Sequence, residues 1–208
     1  MVRAILDGRK TQTRREVKPQ PPCNCSYHIN GWESHALCHA TENYFQWVPP
    51  TPKSKDHRLP CPYGRPGNHL WVRETFWNRA EDGLHLYAAT GELVFHKDSG
   101  AHRMGIKSVP HDVCSDEDKR KHGFVKRPSI FMPRWASRIT LLIEAVRVER
   151  LQDIKRGDCM NEGCPFPNLA GKTEPPKWYS ELWDSINGPG SWSKNPWVWV
   201  ITFKRIAP

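Results

Sequence analysis

No stretch of this 208-residue sequence stays apolar for long enough to cross a bilayer. The longest such run, WVWVI at residues 197–201, falls far short of the roughly 20 residues a spanning helix needs. The amino terminus shows no apolar core of a secretory signal. A soluble cytosolic protein with reduced thiols and no membrane partner is therefore expected. Also lacking are an internal repeat, a coiled-coil heptad pattern, any pair of Cys-x-x-Cys knuckles, and any clear Cys-His-Asn or Ser-His-Asp order. These absences set aside solenoids, long coiled helices and the familiar nucleophilic triads.

What is present suits a folded protein of one ordinary core with room for insertions. Charged residues make up 25% and hydrophobic ones 38%, a globular rather than a disordered balance. Nineteen prolines and fourteen glycines imply many turns and short elements, which leans towards β structure. Ten tryptophans either fill a core or offer faces on which bases stack. A formal net charge of +9 favours anionic partners, nucleic acid and nucleotides among them.

Along the chain, Val2 to Leu6 reads as a short helix stopped by Gly8. The following KTQTRR alternates, with Thr11, Thr13 and Arg15 on one face and Gln12 and Arg14 on the other. Four basic residues fall within ILDGRKTQTRR (Ile5 to Arg15), which makes it a candidate wall of an anion site. From Lys18 to Pro60 the periodicity vanishes between proline clusters, and an extended loop insertion is expected. GNHLWVRETFW (Gly67 to Trp77) reads as one strand, and Leu84 to Phe95 as a hairpin turning near Thr90-Gly91. Lys97 to Lys126, charged and without period, reads as a second loop. The strand Ser137 to Leu151 changes parity near Glu144-Ala145, as a β-bulge would make it do. Two short helices follow. One ends at Gly163, and the other, Lys177 to Gly188, has an apolar side of Trp178, Leu182, Trp183 and Ile186. NPWVWVITFKRI is apolar on both faces, the mark of a central strand. About five or six strands and two or three short helices, in a small sheet that closes on itself, are expected.

With ILDGRKTQTRR, PGNHLWVRETF, RWASRITLLIEAVRVERLQDI, MNEG and NPWVWVITFKRI in view, the chain resembles the ASCH family. It is most similar there to the larger members found in phages and prophages. The resemblance covers residues 2–20, 61–77, 128–163 and 182–206. It implies a PUA-like fold: mainly β with short helices (α+β), a small β-barrel in a single domain over residues 1–208. Loop insertions are expected at about 18–60 and 97–126, and the setting is the cytoplasm of a bacterial host. Family members usually carry a strand before the first helix. In this chain the barrel is either open there or completed by another segment. The strand-opening turn, usually Gly-Asp, here reads Gly67-Asn68.

Some small ASCH proteins are 4-acetylcytidine amidohydrolases using a lysine, a threonine and a glutamate. Matched residue by residue, these fall on Lys10, Thr13 and Glu162. A lysine in a dry pocket loses its proton more readily and can act as a base towards a hydroxyl or water. Lys10 and Thr13 would point to opposite faces of an ideal strand, so Lys10 must sit in the turn after Gly8. The bland alternative is a surface lysine, a strand threonine and a helix-end glutamate. Arg14, Arg15, Arg134 and Arg138 are candidate phosphate contacts, and Trp135 a candidate stacking aromatic.

The cysteines are explained either by burial or by metal. Cys23, Cys25, His28, Cys38, His39 and Cys61 lie close in sequence, and a structural zinc would take Cys23, Cys25, Cys38 and Cys61. No other cofactor is required, and Cys114, Cys159 and Cys164 read as incidental. The expected function is recognition of RNA or a modified nucleoside, with hydrolysis by amide or RNA cleavage as its enzymatic form. A non-catalytic nucleic-acid-binding phage protein and a phage assembly or host-interaction protein are the alternatives.

Overall fold

A computed structural model of the chain describes residues 1–20, 37–40, 44–48, 57–95, 115–165 and 174–206. The fold is mainly β with a few short helices. Its chain divides into two compact units, one built on Arg3–Leu70 and Leu142–Arg205, the other on Trp71–Leu141.

The first unit opens with helix α1 (Val2–Leu6), after which Gly8 takes φ +72° and turns the chain into strand β1 (Gln12–Glu16). A sheet in the order β1-β11-β10-β5 joins β1 to the long strands β10 (Thr140–Arg150) and β11 (Trp197–Ile206), with β5 (His69–Trp71) at its edge. The doubly apolar pattern of β11 puts it inside that sheet, and Trp197 to Ile201 are all buried. It pairs antiparallel with β1, Thr13 opposite Ile201 and Arg15 opposite Trp199. Burial along β10 changes parity as its sequence implies: Leu141 and Ile143 are buried, Glu144 and Ala145 exposed, then Val146 and Val148 buried.

Helices α3 (Arg156–Asn161) and α4 (Pro175–Asn187) complete this unit around a core of Leu151, Ile154, Cys159, Tyr179, Trp183, Val198 and Val200. Proline at the start of α4 needs no N–H partner, and Gly188 at φ +98° ends the helix. The buried stripe of α4 is Pro175, Tyr179 and Trp183, whereas Ile186 is 56% exposed. Of the expected apolar side, Trp183 is buried, Trp178 and Leu182 pack at the margin, and Tyr179, not expected there, belongs to the core.

Two expected loops hold secondary structure. The 18–60 region contains a three-stranded antiparallel sheet of β2 (Leu37–Ala40), β3 (Tyr44–Val48) and β4 (His57–Pro60). Strands of four or five residues are too short to show a period, and their backbone groups are satisfied by one another. The 97–126 region ends in helix α2 (Asp116–Lys121), closed by a Ser115–Asp118 capping box, which leads to strand β9 (Val125–Arg127). Gly67 to Trp77 is also two strands rather than one: β5, and β6 (Phe76–Arg79) in a different sheet.

That sheet forms the second unit, in the order β8-β7-β6-β9, with β7 (Leu84–Tyr87) and β8 (Leu93–Phe95) making the expected hairpin around Gly91. Alternation along β6 sends Trp77 into a cluster with Leu84, Leu86 and Phe124, and Phe76 into another with Tyr87, Met132 and Ala136.

Candidate active site

The site of the first unit is assembled by two turns that meet. After α1 the backbone N–H of Lys10 returns to the Ala4 carbonyl (2.9 Å), and Thr11 N–H donates to Asn161 at the end of α3 (2.8 Å). Lys10 therefore lies outside β1, in an isolated β-bridge to Glu162, the residue that caps α3. This backbone bridge brings an amine and a carboxylate 152 residues apart into contact: Lys10 Nζ donates to Glu162 Oε2 (2.5 Å) and to the Glu162 carbonyl (3.0 Å).

Gly163 makes the approach feasible. Its φ is +93°, and a Cβ there would stand 3.0 Å from Ala4 Cβ and 3.2 Å from Lys10 Cβ. Gly163→Ala combines backbone strain with a clash against two rigid stems and is expected to cost about 1–3 kcal/mol in urea unfolding. Gly190→Ala, at φ +75° in open space, bears only the conformational part, about 1 kcal/mol.

Lys10 and Glu162 are both buried, and their ion pair continues into a wider network. Arg14, whose side chain is 0% exposed, donates to Glu149 Oε1 from Nη2 (2.6 Å) and Nε (3.0 Å), and from Nη1 to Glu162 Oε1 (3.3 Å) and Gln12 Oε1 (2.9 Å). Its Nη2 also lies 3.4 Å from Asp158 Oδ2. Arg147 bridges the outer oxygens of Glu149 and Asp158, both at 3.1 Å. Lys10, Arg14 and Arg147 thus balance Glu149, Asp158 and Glu162, which is how a cluster of charges tolerates burial. The Tyr179 hydroxyl donates to Glu162 Oε1 (3.4 Å), and Arg14 lies over its ring.

The environment acts unequally on these groups. Burial pushes the Lys10 amine below its ordinary pKa, and the Glu162 charge opposes this without cancelling it. Burial also works against the Arg14 charge, but Glu149 and Glu162 outweigh it and raise its pKa. Desolvation raises the Tyr179 phenol, so it stays a donor. Asp158 resists its own burial through the Lys155 N–H and Arg14, and its carboxyl is held below the usual range.

A hollow of about 460 Å³, open mouth included, lies against this network. Lys10, Thr13, Arg14 and Glu162 reach it, with Arg15 exposed at its rim and Tyr179 and Trp183 in its wall. Trp183 Nε1 is buried with no hydrogen-bond acceptor among the described residues.

The structure therefore brings together Lys10, Thr13, Arg14, Arg15 and Glu162. Arg134, Trp135 and Arg138 belong to the second unit. There Arg138 grips Glu74 through two hydrogen bonds (3.0 and 2.9 Å), meets Glu92 and lies 3.9 Å over the Tyr87 ring. Arg134 lies over Trp71, and Trp135, in a short 3-10 turn rather than at a strand's start, meets His85 edge-on. Cys23, Cys25 and His28 lie outside the described residues, Cys38 and His39 are in β2, and Cys61 is a buried free thiol. Among the described residues no group of three or more His, Cys, Asp or Glu is placed to hold a metal ion.

Sequence reasoning missed Tyr179, Arg147, Glu149 and Asp158. The signal for Tyr179 was its i, i+4 spacing from Pro175 and Trp183. Arg147 and Glu149 share one face of β10, opposite the buried Val146 and Val148. No protein-family model, curated protein or solved structure matches this chain.

Proposed function

We propose that the hollow beside Lys10 recognises RNA or a modified nucleoside and hydrolyses an acyl amide on its base, as in N4-acetylcytidine. In this reading the chain is an ASCH protein of PUA-like fold. The observation that carries it is the buried contact between Lys10 and Glu162 at a hollow that Thr13 also lines. A solvated lysine is a poor base at neutral pH, and burial shifts the Lys10 amine towards its proton-accepting form.

In its unprotonated form the Lys10 amine takes a proton from the Thr13 hydroxyl or from a water as that oxygen attacks the acetyl carbon. The C–N bond to the base breaks, and the proton passes through Glu162 to the departing exocyclic nitrogen. Cytidine leaves; where Thr13 attacked, a water then cleaves the acetyl–Thr13 ester and restores the hydroxyl, so either route consumes one water and releases acetate. Arg14 and Tyr179 hold the Glu162 carboxylate in place. Arg15 at the rim meets a phosphate if the nucleoside is part of a strand.

The test is release of acetate from N4-acetylcytidine. Turnover by the wild type, lowered at least about 100-fold by Thr13→Val with no change in melting temperature, supports the reading. Its kcat/KM should rise with pH and level off below about 10.4, because only the deprotonated amine is a base and its pKa is lowered. A wild type that binds RNA in a salt-dependent way but releases no acetate would make the protein a non-catalytic binder.

A further inference from the structure

The second unit has a groove of its own, about 560 Å³ with its open mouth included. It is lined by Phe76, Asn78, His85, Arg127, Phe131 and Pro133. The His85 ring stacks on Phe76, centroids 5.1 Å apart and planes at 24°, and Trp135 meets it at 83°. Burial lowers the His85 pKa, so the ring is neutral at pH 7 and offers a flat, uncharged face.

Above this floor the surface is apolar and open, with Ile130 67%, Phe131 65% and Trp135 41% exposed. Exposed aromatics grouped in this way mark a contact surface. The segment that carries them is basic: from Phe124 to Arg138 the chain has Lys126, Arg127, Arg134 and Arg138 and no carboxylate of its own. Lys126 is engaged by Asp116, Arg138 by Glu74 and Glu92, and Arg134 stacks on Trp71. Arg127 makes no ion pair or side-chain hydrogen bond among the described residues. It lies in β9, an edge strand whose three residues are all exposed.

Flat rings, an amide and an uncommitted guanidinium in one groove match an unpaired base and its phosphate. A duplex hides its base faces and could use only the cation. We propose that this groove is a binding site for single-stranded nucleic acid. One base lies against Phe131 and the His85–Phe76 stack with its edge at Asn78, and a neighbouring phosphate meets Arg127. This inference stands apart from the chemistry at Lys10.

The test is fluorescence anisotropy of the full chain with a labelled oligouridylate of about eight nucleotides, its DNA counterpart and a blunt duplex. Wild-type affinity for the single strands should fall with salt. Phe131→Ala should weaken it about 5- to 150-fold, the loss typical of one stacked base. Arg127→Ala should weaken it and make the salt slope shallower by about 0.7, the share of one phosphate contact on a single strand. Both side chains are exposed, so melting temperatures should not move. Phe131→Ala should leave acetate release from free N4-acetylcytidine unchanged, so this site and the Lys10 reading can fail separately. Single-strand affinities equal to wild type in both variants would overturn the proposal, as would no binding at low salt. Self-association seen by light scattering and abolished by Phe131→Ala, without oligonucleotide binding, would assign the surface to a second copy and overturn it too.

Discussion

Glu162→Ala is expected to lower unfolding free energy by about 3–5 kcal/mol at neutral pH, the usual consequence of removing one partner from a buried ion pair. If the hydrolase reading holds, turnover falls with it, by about 10²–10⁴-fold for a lost proton carrier. The carboxylate accepts from Lys10, Arg14 and Tyr179 together, so its removal leaves two cations and a phenol facing a hollow. Arg14 keeps Glu149, but among the described residues the Lys10 amine keeps only the Glu162 backbone carbonyl at 3.0 Å. The stranded amine can escape only by shedding its proton. The folded-state Lys10 pKa is already lowered, and without Glu162 to raise it the pKa falls further. The unfolded chain then binds more protons from that folded value up to about 10.4, so the variant gains stability as pH rises through this window. Adding Lys10→Met should recover part of the loss, because the amine that needed a partner is gone. Urea denaturation of the single and double variants at two pH values reads all of this. Strictly additive effects, or a pH-independent deficit, would mean that the two groups are not coupled.

How much of this was legible depends on whether the cause was local. The turn at Gly8 and the central position of β11 follow from residues a few positions apart, and so does the parity change of β10 at Glu144-Ala145. All three could be read from the sequence. That Lys10 had to lie outside the strand was also readable, since Lys10 and Thr13 cannot share one face of β1. The strands of the 37–60 region could not be read, because four residues carry no period and pairing alone defines them. Nor could the network around Arg14. Its members come from β1, β10, α3 and α4, and nothing local in the alternation of KTQTRR says that an inward arginine will meet three carboxylates. An arginine beside a site looks like a phosphate contact from sequence, but this one faces the core and Arg15 faces out.

Arg14→Ala tests that network most directly, and a loss of about 3–5 kcal/mol is expected at pH 7. Among the described residues the guanidinium is the only group that touches Glu149, Asp158 and Glu162 at once, and its side chain has no solvent contact. Without it, three carboxylates share a poorly solvated space with Lys10 and Arg147 alone. Arg14→Lys should rescue little: a single ammonium cannot reproduce a fork that serves Glu149 through two nitrogens while reaching Gln12 and Glu162. The pH dependence carries the diagnosis. Asp158 is held below its usual pKa, with Arg14 among the causes, so it adds stability above about 3.9 that is lost as pH falls through its folded value. The variant lacks the Arg14 share of that gain. Its deficit should therefore be largest near neutrality and shrink as pH falls well below about 3.9 and Asp158 takes up its proton. Denaturation midpoints at about pH 7 and at about pH 2, below the folded Asp158 value, measure the difference. An equal deficit at both, or a fully stable Arg14→Lys, would show that Arg14 acts by filling space rather than by binding three charges.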